Sequence, residues 1–583
     1  MDSLPTTTQQ EKIVPDAYDC KGFPAERSKT GGWTSASMIL GGEVMERLTT
    51  LGITVNLVTY LTGTMHLGNA SSANIVTNFV GTSFMLCLFG GFLGDTYIGR
   101  YLNIAVFAAV QATGVALLMI STIIPSLSPP TCKEHTTCVK ANNTQLTVLF
   151  LALYVTALGT GGLKSSVPGF GSDQFDATDK EEKKHMVKFL NWYYFIVNLG
   201  SLMAVTVLVY IQDHQGRDWG YGICACSIVL ALVVFLFGTC KYRYKKPVGS
   251  PLTQIAVVFV AAWRKRHLQL PSDSALLFND DAILHEPPRI KKQRLPHSKQ
   301  FRFLDKAAIK DYESAGGIVK ISKWCLSTLT DIEEVKLVLR MLPIWASTIV
   351  FWTVQVQMMT LSVSQATTMD RHIGKSFQIP AASMTSFLIG TILLNVPFYD
   401  RVICPIARKV LKNPQGLTPL QHTGVGLVLS ILSMVAAALV EEKRLIFAQS
   451  HGLVNDPTAK IPLSVFWLIP QFFIVGSGES FMYMGQLDFF LRECPDGMKT
   501  MSMGLFLSSR SLGFFFSSLL VSTVNKITGP SKPWIADNLN QGRLNYYYWL
   551  LAMLSAINLM IYLACAKWYV YKDKKVAEEG MEE

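Results

Sequence analysis

Charged side chains are scarce in this sequence. Asp, Glu, Lys and Arg together make up 16% of its 583 residues, against roughly 25% in soluble domains. A deficit of that size over such a length excludes an ordinary soluble enzyme, and with 50% hydrophobic residues it excludes disorder. Catalytic signatures are missing as well: there is no HExxH, no Gly-x-Ser-x-Gly and no P-loop lysine, so no enzyme of those kinds is expected. No CxxC pair or His-rich cluster suggests a metal, and no cofactor is expected. No signal peptide is visible, because the first 32 residues are polar and the apolar stretch after them is long enough to stay in a bilayer.

What the chain does have is apolar length. A membrane helix needs roughly 20 apolar residues. Twelve such stretches are centred near residues 50, 82, 112, 155, 200, 230, 350, 390, 430, 475, 513 and 555. A polar segment from Lys241 to Lys336 separates six from six. That pattern suggests an all-α membrane protein, a pseudo-symmetric transporter of the major facilitator kind. The expected division is an N-terminal segment 1–32, a six-helix bundle 33–240, a central loop 241–336, a second bundle 337–566 and a tail 567–583.

The net charge of +11 would suggest nucleic acid in a soluble protein. Here its placement sets orientation instead, and no nucleic-acid partner is expected. Lys and Arg gather in the N-terminal segment (Lys12, Arg27, Lys29), after the fourth stretch (Lys180, Lys183, Lys184, Lys188), in the central loop and in the tail (Lys567, Lys572, Lys574, Lys575). These parts are expected to be cytosolic. The loop holding Lys443, Arg444 and Lys460, beside Glu441 and Glu442, runs against the rule. Sequons at Asn69 and Asn142 fall in expected outside loops, with Asn142 the better glycosylation candidate and Asn69 close to the membrane. Of 11 cysteines, Cys87, Cys224, Cys226 and Cys565 lie in apolar stretches as small packing residues. Cys132 and Cys138 share an outside loop where a disulfide is permitted. In the central loop, Ile255, Val258, Phe259, Ala262 and Trp263 follow helical spacing and predict a short amphipathic helix, on the inner leaflet or on the bundle.

The few charges inside the apolar stretches are functional candidates, because burying them without a partner is costly. Glu43, Glu46 and Arg47 share one helical face. Two carboxylates and one arginine titrate as a coupled unit, the physical requirement for carrying a proton near neutral pH; a permanently paired structural cluster is the alternative. Lys164 follows Gly159-Thr160-Gly161-Gly162, whose glycines allow close backbone approach or a helix break. Glu479 sits in the second half, so the two form an inter-half salt bridge in one access state or line a wet cavity as separate charges. Arg510 lies in Ser508-Ser509-Arg510-Ser511 with Phe514 on the same face. It faces a central cavity and favours anions, or else it packs against the other half.

Several motifs then carry a resemblance. They are Glu43-Val44-Met45-Glu46-Arg47, Gly94-Asp95-Thr96-Tyr97-Ile98-Gly99-Arg100, Gly159 to Lys164, Phe170-Gly171-Ser172-Asp173-Gln174-Phe175, Tyr193-Tyr194 with Asn198-Leu199-Gly200-Ser201, Leu304-Asp305-Lys306-Ala307-Ala308 and Pro343-Ile344-Trp345. In this order, over nearly the whole chain, they resemble the plant nitrate transporter/peptide transporter family within the proton-coupled oligopeptide transporters, and most of all its dual-affinity nitrate branch. The resemblance implies a twelve-helix major facilitator fold, alternating access and proton symport. It implies Glu43, Glu46 and Arg47 as the proton-coupling set, Lys164 and Glu479 as the inter-half pair, and Leu51, Val55, Val80 and Phe514 as pocket lining.

The departures bear on substrate. Well-characterised nitrate members carry a histidine where this chain has Gln355, and a threonine where it has Met359. Gln offers an amide donor but no titratable charge. Arg510 replaces a residue that is usually neutral, and is expected to supply the anion-binding charge that Gln355 cannot. Asn103 stands where affinity-switching members carry a phosphorylatable threonine, so a single kinetic phase is expected. The expected activity is proton-driven import of nitrate at the plasma membrane. Chloride, a hormone carboxylate, or nitrate sensing through the central loop are the alternatives. Expected partners are the small anion, protons and membrane lipid, with a homodimer left open.

Overall fold

The computed structural model describes residues 13–130, 139–176, 179–245, 251–271, 277–278, 297–298, 300–309, 324–374, 377–411, 416–456, 459–494, 499–529 and 533–571. The expected Cys132–Cys138 pair, most of segment 267–300 and the tail beyond residue 571 lie outside the described residues.

Among the described residues, eleven helices are long and apolar enough to cross a membrane. They are α2 (Asn69–Ile98), α3 (Arg100–Ile123), α4 (Asn143–Ser172), α5 (Glu181–His214), α6 (Arg217–Phe237), α8 (Leu329–Thr367), α9 (Ala381–Leu411), α10 (Pro419–Ser450), α11 (Val465–Glu493), α12 (Ser502–Thr528) and α13 (Leu544–Trp568). The amphipathic α7 is Pro251–Arg264. The first helix, α1 (Gly32–Gly63), is too polar to join the eleven because it holds Glu43, Glu46 and Arg47, yet it has 32 residues. At 1.5 Å per residue its length of about 48 Å exceeds the roughly 30 Å hydrocarbon layer. Each of the twelve apolar centres expected from the sequence lies inside one of these twelve helices, and the chain has the all-α major facilitator architecture.

Local sequence explains the boundaries. Asn142 and Gln145 form a capping box that opens α4, and Thr418 with Gln421 forms another, followed by Pro419, that opens α10. The glycines of α4 do not break it, since the helix runs unbroken from Asn143 to Ser172. They let α3 approach: a Cβ on Gly159 would sit 2.4 Å from the backbone nitrogen of Gln111, and one on Gly162 2.0 Å from the Phe107 ring.

Backbone bonds from Gly31 to Lys241 (2.7 Å) and from Gly32 to Gln174 (2.9 Å), with a bridge between Tyr18 and Tyr244, bring the N-terminal segment, the α4–α5 turn and the end of α6 to one face. Several motif residues meet there. Arg100 bridges Asp95 (3.0 Å) and Asp173 (2.7 Å), and buried Arg243 bonds Glu182 at 2.6 Å. On the same face α7 lies on the bundle, burying Val258, Ala261 and Ala262. The helix α8 begins at Leu329, inside the segment assigned to the central loop, so Asp331, Glu333, Glu334 and Lys336 are buried helical residues. Their charges are met locally. Lys336 Nζ contacts Asp305 at 2.6 Å and Glu333 at 2.7 Å, while Gln254 of α7 donates to Asp331 and Glu334.

The charge rule's exception resolves for Arg444 and its neighbour Glu441. Arg444 and Glu441 are not loop charges. They lie within α10, fully buried and paired at 2.7 Å, and the guanidinium also bonds the Leu539 carbonyl and Asn540. Cys87 and Cys224 are buried as expected, but Cys226 is exposed on α6 and packs no core. Asn69 is buried and its amide nitrogen donates to the carbonyls of Ala536 and Asp537, so that sequon is occupied by packing. Asn142 is exposed, with its side chain capping α4.

The halves meet chiefly where α2 runs along α12. Ser511 donates to the Gly81 carbonyl at 2.7 Å and Asn74 to Ser522 at 2.8 Å.

Candidate functional site

Two of the interior polar clusters hold the charges singled out by the sequence. The first is on α1. Arg47 Nε donates to Glu43 Oε1 at 2.9 Å and lies 3.4 Å from Glu46 Oε2. Glu46 Oε1 accepts from Thr50 at 2.7 Å, and its second oxygen has no hydrogen-bond partner. One arginine therefore serves two buried carboxylates, with Tyr193 of the α5 motif beside Glu43. The helical spacing of 43, 46 and 47 brings the three together as expected.

The second cluster spans α8, α11 and α12. Glu479 Oε1 accepts from Arg510 at 3.3 Å, and Oε2 accepts from Gln355 at 3.2 Å. Gln355 Oε1 and Arg510 Nε are buried with no partner. Aromatic rings enclose the guanidinium, which lies 4.6 Å from the Trp352 centroid, 4.8 Å from Phe84 and 5.8 Å from Phe514. Phe84 belongs to the first half, and Lys164 Nζ also lies 4.8 Å from its centroid. Cation–π contact compensates part of the lost hydration of both cations.

This geometry rearranges the expected pairs. No ion pair joins Lys164 to Glu479 in this conformation; Glu479 is held by Arg510 and Gln355, and Lys164 rests on Phe84. Gln355, Arg510 and Phe514 come together. Met359, one turn beyond Gln355, is buried. Of the apolar lining residues, Val80 and Phe514 pack in one core, while Leu51 and Val55 pack in the other with Val354 and Met358.

Asn103 is fully buried and donates to the Gly162 carbonyl at 3.1 Å and to Ser166 at 2.7 Å. It ties α3 to α4 at the position where affinity-switching members are expected to carry a threonine. His297, Asp305 and Glu333 bring donor atoms within 4.8 Å of one another, a spacing that suits a cation. The ammonium of Lys336 already sits against both carboxylates, so the group reads as a clamp on the central loop.

Sequence reasoning missed Trp352 and Phe84 as partners of Arg510. The signal for Trp352 was present, three residues before Gln355 on one helix; Phe84 needed the packing of α2 on α12.

Comparison with known proteins gives a consistent result. Residues 101–535 match the PTR2 profile of the POT family. The chain is 60% identical to Protein NRT1/ PTR FAMILY 6.3 of Arabidopsis thaliana, covering 100% of this chain and 98% of that protein. It is 53% identical to Protein NRT1/ PTR FAMILY 6.2 of the same plant, covering 95% of each. Among solved structures, an auto-inhibited POT family peptide transporter superposes with a TM-score of 0.67 at 20% identity, covering 92% of this chain and 97% of that one. The transporter PepTSo superposes with a TM-score of 0.65 at 20% identity, covering 92% and 98%.

Proposed function

The chain belongs to the POT family of transporters, and on that premise we propose that it is a proton-driven symporter importing nitrate by alternating access. The face carrying the basic segments is cytosolic and the membrane is the plasma membrane. The observation that carries the anion reading is the pair of cations against one ring: Lys164 from the first half and Arg510 from the second, each 4.8 Å from the Phe84 centroid. Two cations between the halves, with Glu479 the carboxylate bonded to Arg510, favour a small anion. Arg510 stands in for the missing histidine. Its guanidinium offers planar, charged donors suited to a planar oxyanion.

The coupling follows from the pairings. Arg510 is engaged by Glu479, so an anion has to compete with that carboxylate. Loss of the Glu479 contact leaves the guanidinium for the anion. Glu43, Glu46 and Arg47 form the proton-responsive group, in the first half. Import of more than one proton per nitrate carries positive charge inward, a step the membrane potential aids by about 2.3 kcal/mol per charge per 100 mV. Closure of Lys164 on Glu479 marks the other access state. The aromatic walls favour a second reading, an organic carboxylate that stacks on Phe84, Trp352 or Phe514.

The test is uptake in oocytes at two pH values, comparing nitrate, chloride, peptides and hormone carboxylates, with Arg510→Leu and Gln355→His variants. Arg510→Leu is expected to lose most nitrate current, and Gln355→His added to it to restore part. Undiminished nitrate current in Arg510→Leu would sink the anion site.

A further inference from the structure

A chain of buried hydrogen bonds leaves the α1 cluster and enters α4. Thr50 donates to Glu46 Oε1 at 2.7 Å. Gln111 of α3 donates through the same Nε2 to Thr50 Oγ1 at 3.0 Å and to Thr160 Oγ1 at 3.1 Å. Gln111 and Thr160 are fully buried, and Thr50 is nearly so. Direction in this chain is set by inventory. A hydroxyl has one proton. The amide nitrogen donates to the Thr50 oxygen, so the Thr50 proton goes to Glu46.

The chain is short of one proton. Glu46 Oε2 and Gln111 Oε1 are both buried acceptors with no hydrogen bond, Glu46 Oε2 having only the 3.4 Å ion-pair contact with Arg47, an arrangement that costs free energy. A proton added to Glu46 changes the count. Glu46 then donates to Thr50, and Thr50 turns its own proton to the Gln111 carbonyl oxygen. That requires the amide to rotate, which withdraws its nitrogen from Thr160. No other proton is consumed: one enters from solvent, and each hydroxyl keeps one. Thr160 lies in the glycine segment one turn before Lys164, and Gly159 lets α3 come close enough for the amide to reach it.

We propose that Gln111, acting through Thr50, is a positioning residue that couples protonation of Glu46 to α4 and hence to Lys164. The inference rests on the proton-coupled reading above. Glu46 is also faced by Arg47 and Glu43 of its own helix, by Cys87 of α2, Lys164 of α4 and Tyr193 of α5. These groups set its charge environment, and Gln111 sets which way its hydrogen bond runs.

The test is nitrate uptake against external pH in oocytes, normalised to surface protein, for Gln111→Leu, Thr50→Val and Thr50→Ser. Loss of the Thr50 donor removes a bond to the carboxylate, so in Thr50→Val the half-maximal pH is expected to move upward by about one unit; in Gln111→Leu the Thr50 hydroxyl stays but is no longer directed to Glu46, and a smaller upward shift is expected. Thr50→Ser keeps the hydroxyl and is expected to keep the native profile. A merely structural role lowers the maximal rate equally at every pH and leaves the midpoint in place; that outcome in Thr50→Val overturns the proposal, whether or not Gln111→Leu reaches the surface. If native uptake is itself independent of the proton gradient, the symport reading has failed. If native uptake is proton-driven and the variants keep its midpoint, only the Gln111 relay has failed.

Discussion

Two of the arginine–carboxylate assemblies buried in this molecule, those of α10 and α1, differ in how completely they are satisfied. In α10, Arg444 and Glu441 are entirely inaccessible, and the arginine bonds both carboxylate oxygens, Thr368, Asn540 and the Leu539 carbonyl. Glu441 takes a further bond from Gln365 at 2.7 Å. In α1, one arginine faces two carboxylates, one carboxylate oxygen has no hydrogen bond, and the arginine side chain is 21% exposed. Burial of a charge is common to both and by itself distinguishes nothing. A closed inventory of donors and acceptors fixes a fold; an inventory with a gap has somewhere to put a proton.

The largest expected effect tests the closed assembly. Arg444→Leu leaves Glu441 uncompensated, at a cost of about 3–5 kcal/mol. Little folded protein is expected by fluorescence-detected size exclusion, and replacing Glu441 by Leu as well should recover much of it. A well-folded Arg444→Leu that fails to transport would break the comparison, because the pair would then belong to the mechanism. The next effect is selective. Glu46→Gln is expected to fold and reach the surface at near-native levels while nitrate uptake loses its dependence on the pH gradient. Uptake that still follows the gradient removes Glu46 from the coupling set.

The smallest effect is a control on an exposed pair. Asp370 lies on the face opposite the termini, and the His372 side-chain hydrogen bond, aided by its backbone N–H, holds the Asp370 carboxyl below its usual range. Any stability from that shift is present above the ordinary carboxylate pKa and is lost only as pH falls through the lowered value. Between about pH 5 and 8 the Asp370 carboxyl stays ionised, and the pair is exposed and lies outside both polar clusters of the site, so His372→Ala should leave the uptake profile unmoved. A shifted midpoint would bring this surface pair into the coupling.

The sequence was most legible where one helix carries the whole pattern. Twelve apolar stretches became twelve helices, and Glu43, Glu46 and Arg47 met because their spacing is helical. It was least legible where partners come from different helices. Gln355, Glu479 and Arg510 were each singled out, yet their mutual contacts depend on how α8, α11 and α12 pack, and no spacing encodes that. Glu441 and Arg444 were read as loop charges because hydropathy falls before the helix ends; the residues that satisfy them lie about 100 positions away in the chain. Asp331 to Lys336 were misplaced for the same reason, with Asp305 and Gln254 as the distant partners.

The length of α8 has a mechanical consequence. It runs from Leu329 to Thr367 in three helical segments, interrupted at Thr348 and between Gln357 and Leu361, so its clamp at Lys336 and its polar contact at Gln355 lie on successive segments of one span. Asp331 and Gln355 are separated by about 36 Å of helix. Any tilt of this span would carry its clamped end, and with it α7 and the 3-10 turn Arg302–Ala308. Among the described residues, α7 and that turn are therefore tied through Asp331 and Lys336 to the same span that carries Gln355.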